Sequence, residues 1–62
     1  MKLLIWQHRM QKGYSCRKLA EKCGLSKSTI NNIENEKVSP TLAQLEAIAK
    51  ALDCQIIDLF KE

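Results

Sequence analysis

The sequence is short of most residue types that build catalytic or metal chemistry. It has one histidine, His8, and three cysteines, Cys16, Cys23 and Cys54, with no C-x-x-C pair among them. A tetrahedral zinc site draws four nitrogen or sulfur ligands at closer spacing, so no metal site is expected. An odd number of thiols argues against a disulfide framework. Reduced cysteines, and with them a cytoplasmic location, are the expectation. With only two glycines and one proline the chain has no glycine-rich phosphate loop and no linker-like stretch. No Ser/His/Asp, Cys/His or paired-carboxylate grouping is placed for catalysis, so neither an enzyme, a cofactor nor a small-molecule substrate is expected. The apolar opening Met1-Lys2-Leu3-Leu4-Ile5-Trp6 is too short for a secretory core. Nothing approaches the ~20 apolar residues of a membrane span.

What remains is a soluble binding module. The 62 residues suffice for one domain over residues 1–62, and at this size the core is thin. Net charge is +3, unevenly spread. Residues 1–37 hold Lys2, Arg9, Lys12, Arg17, Lys18, Lys22, Lys27 and Lys37 against Glu21, Glu34 and Glu36, a net +5. Residues 38–62 hold Lys50 and Lys61 against Glu46, Asp53, Asp58 and Glu62, a net −2. One end of the chain attracts polyanions and the other does not.

Punctuation at Gly13, Gly24, Asn35-Glu36-Lys37, Ser39-Pro40 and Asp53 divides the chain into short segments, each readable as a helix. The first runs from about Lys2 to Lys12 and stops at Gly13. Leu4, Ile5 and His8 mark its apolar side. The second follows Ser15, an N-cap with Lys18 where a reciprocal Glu would stand, and carries Leu19, Ala20 and Cys23 inward. Ser26 caps a third from Lys27 to about Asn35, with Ile30, Ile33 and the stem of Glu34 inward. The fourth starts after Pro40, with Thr41 in its first turn and Leu42, Leu45, Ile48, Ala49 and Leu52 at helical spacing. Asp53 ends it. Gln55 to Lys61 supply a short fifth helix with Ile56, Leu59 and Phe60. No stretch alternates with the period of a half-buried strand. The fold class is all-α, five helices.

Helices two and three carry the function. Ala20 permits close approach and Gly24 supplies a positive φ at the corner. Leu25, Ile30 and Ile33 seat the third helix and leave Lys27, Ser28, Asn31, Asn32 and Asn35 on its other side. Asn pairs with adenine edges, Ser reads several acceptors, and Lys reaches guanine or a phosphate, so this face suits a major groove. Two adjacent asparagines are poor helix formers, and a merely solvated face would favour Glu, Lys and Gln.

The stretch Gly13-Tyr14-Ser15-Cys16-Arg17-Lys18-Leu19-Ala20-Glu21-Lys22-Cys23-Gly24-Leu25-Ser26-Lys27-Ser28-Thr29-Ile30-Asn31-Asn32-Ile33-Glu34-Asn35 resembles the Cro/C1-type (Xre-like, lambda-repressor-like) helix-turn-helix family. The likeness continues through Ser39-Pro40-Thr41-Leu42, Ile48-Ala49-Lys50-Ala51-Leu52 and Leu59-Phe60, and covers about Ile5 to Phe60. It implies a five-helix DNA-binding domain and a transcriptional regulator, read as a repressor, whose third helix enters the major groove of double-stranded DNA. It implies homodimers on two-fold operators, with half-sites about 34 Å apart. By position, Lys27, Ser28 and Asn32 match the base-reading residues, with Asn31 added. Ser15, Cys16, Arg17, Asn35 and Lys37 fall where DNA backbone contacts are expected. Arg9 and Glu34 match a partly buried structural ion pair.

The sequence departs from the family at several places. Cys16 stands where Gln is usual and cannot donate as Gln does. Glu36 replaces the Gly favoured after Asn35 and brings a negative charge near the phosphates. Asp53 and Gln55 replace Gly and Ser before helix five, and His8 a core Leu or aromatic. His8 is expected as a packed, half-buried residue, and Cys23 and Cys54 as small core residues. Cys16 is expected to be exposed at a helix N-terminus, where oxidation would modulate DNA binding. Trp6 admits two readings, an exposed aromatic used in association or one half-covered by Met10. Helix five is more apolar than one face requires, which leaves Ile57 or Phe60 outward as a homodimer interface. An antitoxin-like protein-binding module is the competing class.

Overall fold

The structure, a computed structural model, describes residues 2–61. Met1 and Glu62, the ends of the expected domain, lie outside the described residues. In chain order the elements are strand β1 (Lys2–Leu3), helices α1 (Ile5–Lys12), α2 (Cys16–Cys23), α3 (Lys27–Glu34) and α4 (Leu42–Ala51), a 3-10 turn (Ile56–Leu59) and strand β2 (Phe60–Lys61).

Hydroxyl residues start three of the helices. Ser15, Ser26 and Thr41 each accept the backbone N–H three residues on, at 3.0, 3.1 and 3.1 Å. Each bond satisfies one of the orphan donors of a first helical turn. Thr41 is the N-cap of α4 and not a first-turn residue. Gln44 returns the favour by accepting the Thr41 N–H at 3.0 Å, which completes a capping box. All four helices stop at a left-handed residue. These are Gly13 and Gly24 (both φ 73°), Glu36 (φ 58°) and Asp53 (φ 56°). Glycine pays nothing sterically there; the two acidic residues do.

Among the described residues there are four α-helices, not five. The first helix begins at Ile5, because Lys2 and Leu3 pair antiparallel with Lys61 and Phe60. The Leu4 N–H donates to the Leu59 carbonyl at 2.7 Å, extending that pairing to the helix start. The expected fifth helix is one 3-10 turn followed by β2. Asp58 closes the turn by accepting the Gln55 N–H at 3.0 Å through its carboxylate. The β-branched pair Ile56-Ile57 adds little helix propensity, and Phe60 suits a strand. The strand pair is an addition to the all-α expectation.

The core is Ile5, Leu19, Ala20, Ile30, Ile33, Leu45, Ile48, Ala49, Leu52 and Leu59. Each large aliphatic among them contributes ~1.5–3 kcal/mol by leaving water. Ile30 and Ile33 fix which face of α3 turns inward, and so which face remains free. Leu42 departs from the expected stripe: as the first residue of α4 it is 64% exposed, and the buried run starts one turn later at Leu45. Cys23 and Cys54 are half-buried against the core and not within it. His8 is half-buried as expected, with its Nε2 donating to the Asp58 carbonyl at 2.9 Å. Trp6 is 53% exposed, and so is Met10 to a similar extent.

Candidate nucleic-acid interface

The free face of α3 gathers short polar side chains on a rigid support. Lys27, Ser28, Asn31 and Asn35 are exposed and Asn32 is half-buried. The Asn35 side-chain amide donates to the Asn31 side-chain carbonyl at 3.1 Å. This i,i+4 pair holds both amides in line along the helix and removes rotamer freedom before any ligand arrives. At the other end of α3, Ser26 and Thr29 share a hydroxyl–hydroxyl bond at 2.8 Å. Lys37 lies just past the helix, exposed, its backbone N–H bonded to the Asn32 carbonyl at 2.9 Å.

The start of α2 flanks this face. Ser15 is exposed and uses its oxygen as the cap, which leaves its hydroxyl proton free to donate. Arg17 is exposed and stands 3.9 Å from Glu21, both side chains largely in solvent. A pair that exposed holds Arg17 loosely. Cys16 differs from expectation. It is half-buried, and its thiol points to the Glu34 carboxylate at 3.8 Å. A residue at the first position of α2 that leans toward α3 takes its side chain away from solvent. Its N–H, like that of Arg17, belongs to a first helical turn and has no intrahelical acceptor.

Beneath the face, Arg9 ties three elements together. Its Nε and a terminal nitrogen donate to the two Glu34 oxygens at 2.8 and 3.0 Å, and its other terminal nitrogen donates to the Tyr14 carbonyl at 2.9 Å. The side chains are 10% and 7% exposed, so this fork is shielded from water. The bond to Glu34 raises the Arg9 pKa above its ordinary value and outweighs the opposing effect of burial. The chain of contacts runs from α1 through the α1–α2 connection to α3, and Cys16 joins it at Glu34. Tyr14 is the residue sequence reasoning missed. Its carbonyl serves Arg9, and its ring carries the Lys22 ammonium 5.2 Å from its centre. A backbone acceptor leaves no mark in a sequence.

On a separate face, an open groove runs between α4 and the 3-10 turn, lined by Ala43, Ala47, Cys54 and Ile56 with Glu46 and Lys50 at its margin. Ile57 also borders it and is 67% exposed, whereas Phe60 is half-buried in β2. Among the described residues, no group of three His, Cys, Asp or Glu could hold a metal ion. No helix among them is long and apolar enough to cross a membrane.

A helix-turn-helix family model matches residues 7–59 of the chain. The chain is 41% identical over 59 residues to the HTH-type transcriptional regulator SinR of Bacillus licheniformis, covering 94% of this chain and 53% of that protein. It therefore spans about half the length of the first curated relatives it matches. Among solved structures it resembles the N-terminal DNA binding domain of SinR from Bacillus subtilis, with TM-score 0.86, 39% identity, and 94% and 86% of the two chains covered. The restriction-modification controller protein C.AhdI from Aeromonas hydrophila superposes with TM-score 0.88 at 30% identity, covering 90% of this chain and 85% of that one.

Proposed function

Because this chain belongs to the Cro/C1-type helix-turn-helix family, we propose that it binds double-stranded DNA in a sequence-specific way and regulates transcription, as a repressor. The observation that carries the reading is the free face of α3, where amides, a hydroxyl and a lysine stand on a helix pinned from behind by Ile30 and Ile33. In this reading α2, the Gly24 turn and α3 form the helix-turn-helix unit. Lys27, Ser28, Asn31 and Asn32 meet base edges in the major groove. Ser15, Arg17, Asn35 and Lys37 meet phosphates, and Cys16 contributes its backbone N–H in place of its side chain. Arg9 and Glu34 keep α3 at a fixed height above α1.

The chain acts as a homodimer in this reading, with Ile57 of each copy at the contact and Phe60 contributing its exposed part. A two-fold contact needs a self-complementary patch, and a protruding isoleucine beside a groove floored by alanines supplies a knob and a hole on one surface.

Selection of bound sequences from a random duplex library, at two salt concentrations, tests the proposal. The expected result is an enriched two-fold motif with half-sites about one duplex turn apart. Binding with no enriched motif, abolished at the higher salt, would refute sequence reading and leave only phosphate attraction.

A further inference from the structure

Three of the helix ends, those of α1, α3 and α4, share one backbone design but not one kind of residue. At the end of α3 the Glu36 N–H returns to the Ile33 carbonyl at 3.1 Å and the Lys37 N–H to the Asn32 carbonyl at 2.9 Å. These two bonds close the helix in a Schellman motif, with Glu36 in the left-handed position at φ 58°. The end of α1 is built alike around Gly13, through Gly13 to Met10 and Tyr14 to Arg9. The end of α4 is built alike around Asp53, through Asp53 to Lys50 and Cys54 to Ala49.

Asp53 has a local reason to be there. A short polar side chain tolerates the left-handed region, and its carboxylate lies 3.4 Å from the Lys12 ammonium. Glu36 has neither advantage. Its longer side chain cannot fold back onto its own backbone in the same way. Among the described residues it makes no side-chain hydrogen bond or ion pair. It also adds negative charge where the dipole of α3 is already negative. Steric preference, dipole and pairing all disfavour glutamate at this position, and strain of this kind gathers at functional sites.

The position itself supplies the reason. Glu36 is exposed and stands between Asn35 and Lys37, in the segment that the DNA-binding reading sets against phosphates. We propose that Glu36 governs DNA affinity electrostatically: its carboxylate repels the phosphate backbone and weakens sequence-independent binding. Bulk DNA is then released readily, and the chain stays only where the base contacts of α3 add to the phosphate contacts. The inference rests on the DNA-binding reading above.

The test compares the full chain with E36Q, which keeps the backbone strain and removes the charge, and with E36G, which removes both. Each is titrated with a selected operator duplex and with a scrambled duplex of equal length, across a salt series. E36Q is expected to bind the scrambled duplex about three- to ten-fold more tightly at low salt, with the gain shrinking as salt screens the charge. E36G is expected to show the same gain and to melt at a higher temperature than E36Q, which itself gains only the smaller relief of the α3 dipole over the parent. Unchanged or weaker binding of the scrambled duplex by E36Q overturns the inference while leaving the DNA-binding reading intact. A parent chain that binds neither duplex overturns both.

Discussion

Removing Arg9 should cost as much stability as truncating a buried core residue. The Arg9→Met substitution leaves Glu34, whose side chain is 7% exposed in the parent, with only the weak Cys16 thiol at 3.8 Å to offer a hydrogen. Stripping one partner from a buried ion pair costs ~3–5 kcal/mol, because the remaining charge has been taken out of water without compensation. Water can still reach the edge of this pair, which puts the expected loss near the lower end, about 3 kcal/mol. A chain of 62 residues at ~0.05–0.15 kcal/mol per residue has about 3–9 kcal/mol of stability in all, so Arg9→Met consumes from a third to the whole of it. The double variant Arg9→Met/Glu34→Leu removes the stranded charge and should recover to within about 1 kcal/mol of the parent. Full recovery is not expected, since the Tyr14 carbonyl loses its donor at 2.9 Å. Urea unfolding followed by far-ultraviolet circular dichroism measures all three proteins, provided the slope with denaturant is unchanged. A loss below about 1 kcal/mol for the single variant, or a double variant no better than the single, would refute the picture of a water-shielded fork.

Other expectations follow from the interface and the thiols. Asn32→Ala should cost ~1–3 kcal/mol on the selected operator and little on scrambled DNA, whereas Lys37→Ala should weaken both alike and flatten the salt dependence by about one unit of slope. Equal effects of the two variants on both duplexes would argue against base reading by Asn32. Ile57→Asp should leave the chain monomeric in analytical ultracentrifugation, with and without operator. A parent that is itself monomeric at high micromolar concentration on operator DNA would defeat the dimer proposal. Burial pushes the Cys23 and Cys54 thiols above their ordinary 9.0, Cys54 with help from the nearby Asp58 charge. A raised folded pKa stabilises the fold fully below the ordinary thiol value, and that contribution is lost as pH rises through the folded value. The urea midpoint should therefore fall as pH rises through the ordinary thiol value of 9.0, and fall less in a Cys23→Ala/Cys54→Ala variant. Parallel declines would mean that the thiols ionise as freely folded as unfolded.

Much of the fold could be read in advance because helix signals are local. Gly13 and Gly24 fixed the ends of α1 and α2, and Ser15 and Ser26 the starts of α2 and α3, within a residue or so, and apolar spacing identified Leu19, Ile30, Ile33, Leu45, Ile48 and Leu52 as core. The features that escaped are those that depend on distant partners. A two-residue strand is too short to alternate, and Lys2–Leu3 pairs only because Phe60 and Lys61 arrive beside it. The same arrival turned an expected fifth helix into a 3-10 turn. Cys16 looked exposed from its place in α2, but the carboxylate that draws it is 18 residues away. Glu36 was visible as an odd residue, yet its left-handed backbone was not, since neither side chain nor sequence announces a positive φ without glycine. The polar face of α3 was legible because burial of Ile30 and Ile33 decides it. The join between Arg9 and Glu34 came from family resemblance and not from spacing.

The short strand pair has a consequence for how the chain is connected. Lys2 stands opposite Lys61, and facing residues in such a pair lie ~4.5–5.5 Å apart. The described chain is therefore almost a ring, closed by hydrogen bonds where a peptide link would fit. A few added residues would close that ring covalently, and a cut in the exposed segment around Val38 and Ser39 would open it elsewhere. Such a circular permutant keeps every helix, cap and core contact but exchanges the farthest pairing in sequence for the nearest. The strand pair closes the longest loop among the described residues and would become a local turn. The three-dimensional object would be the same, reached by a different route.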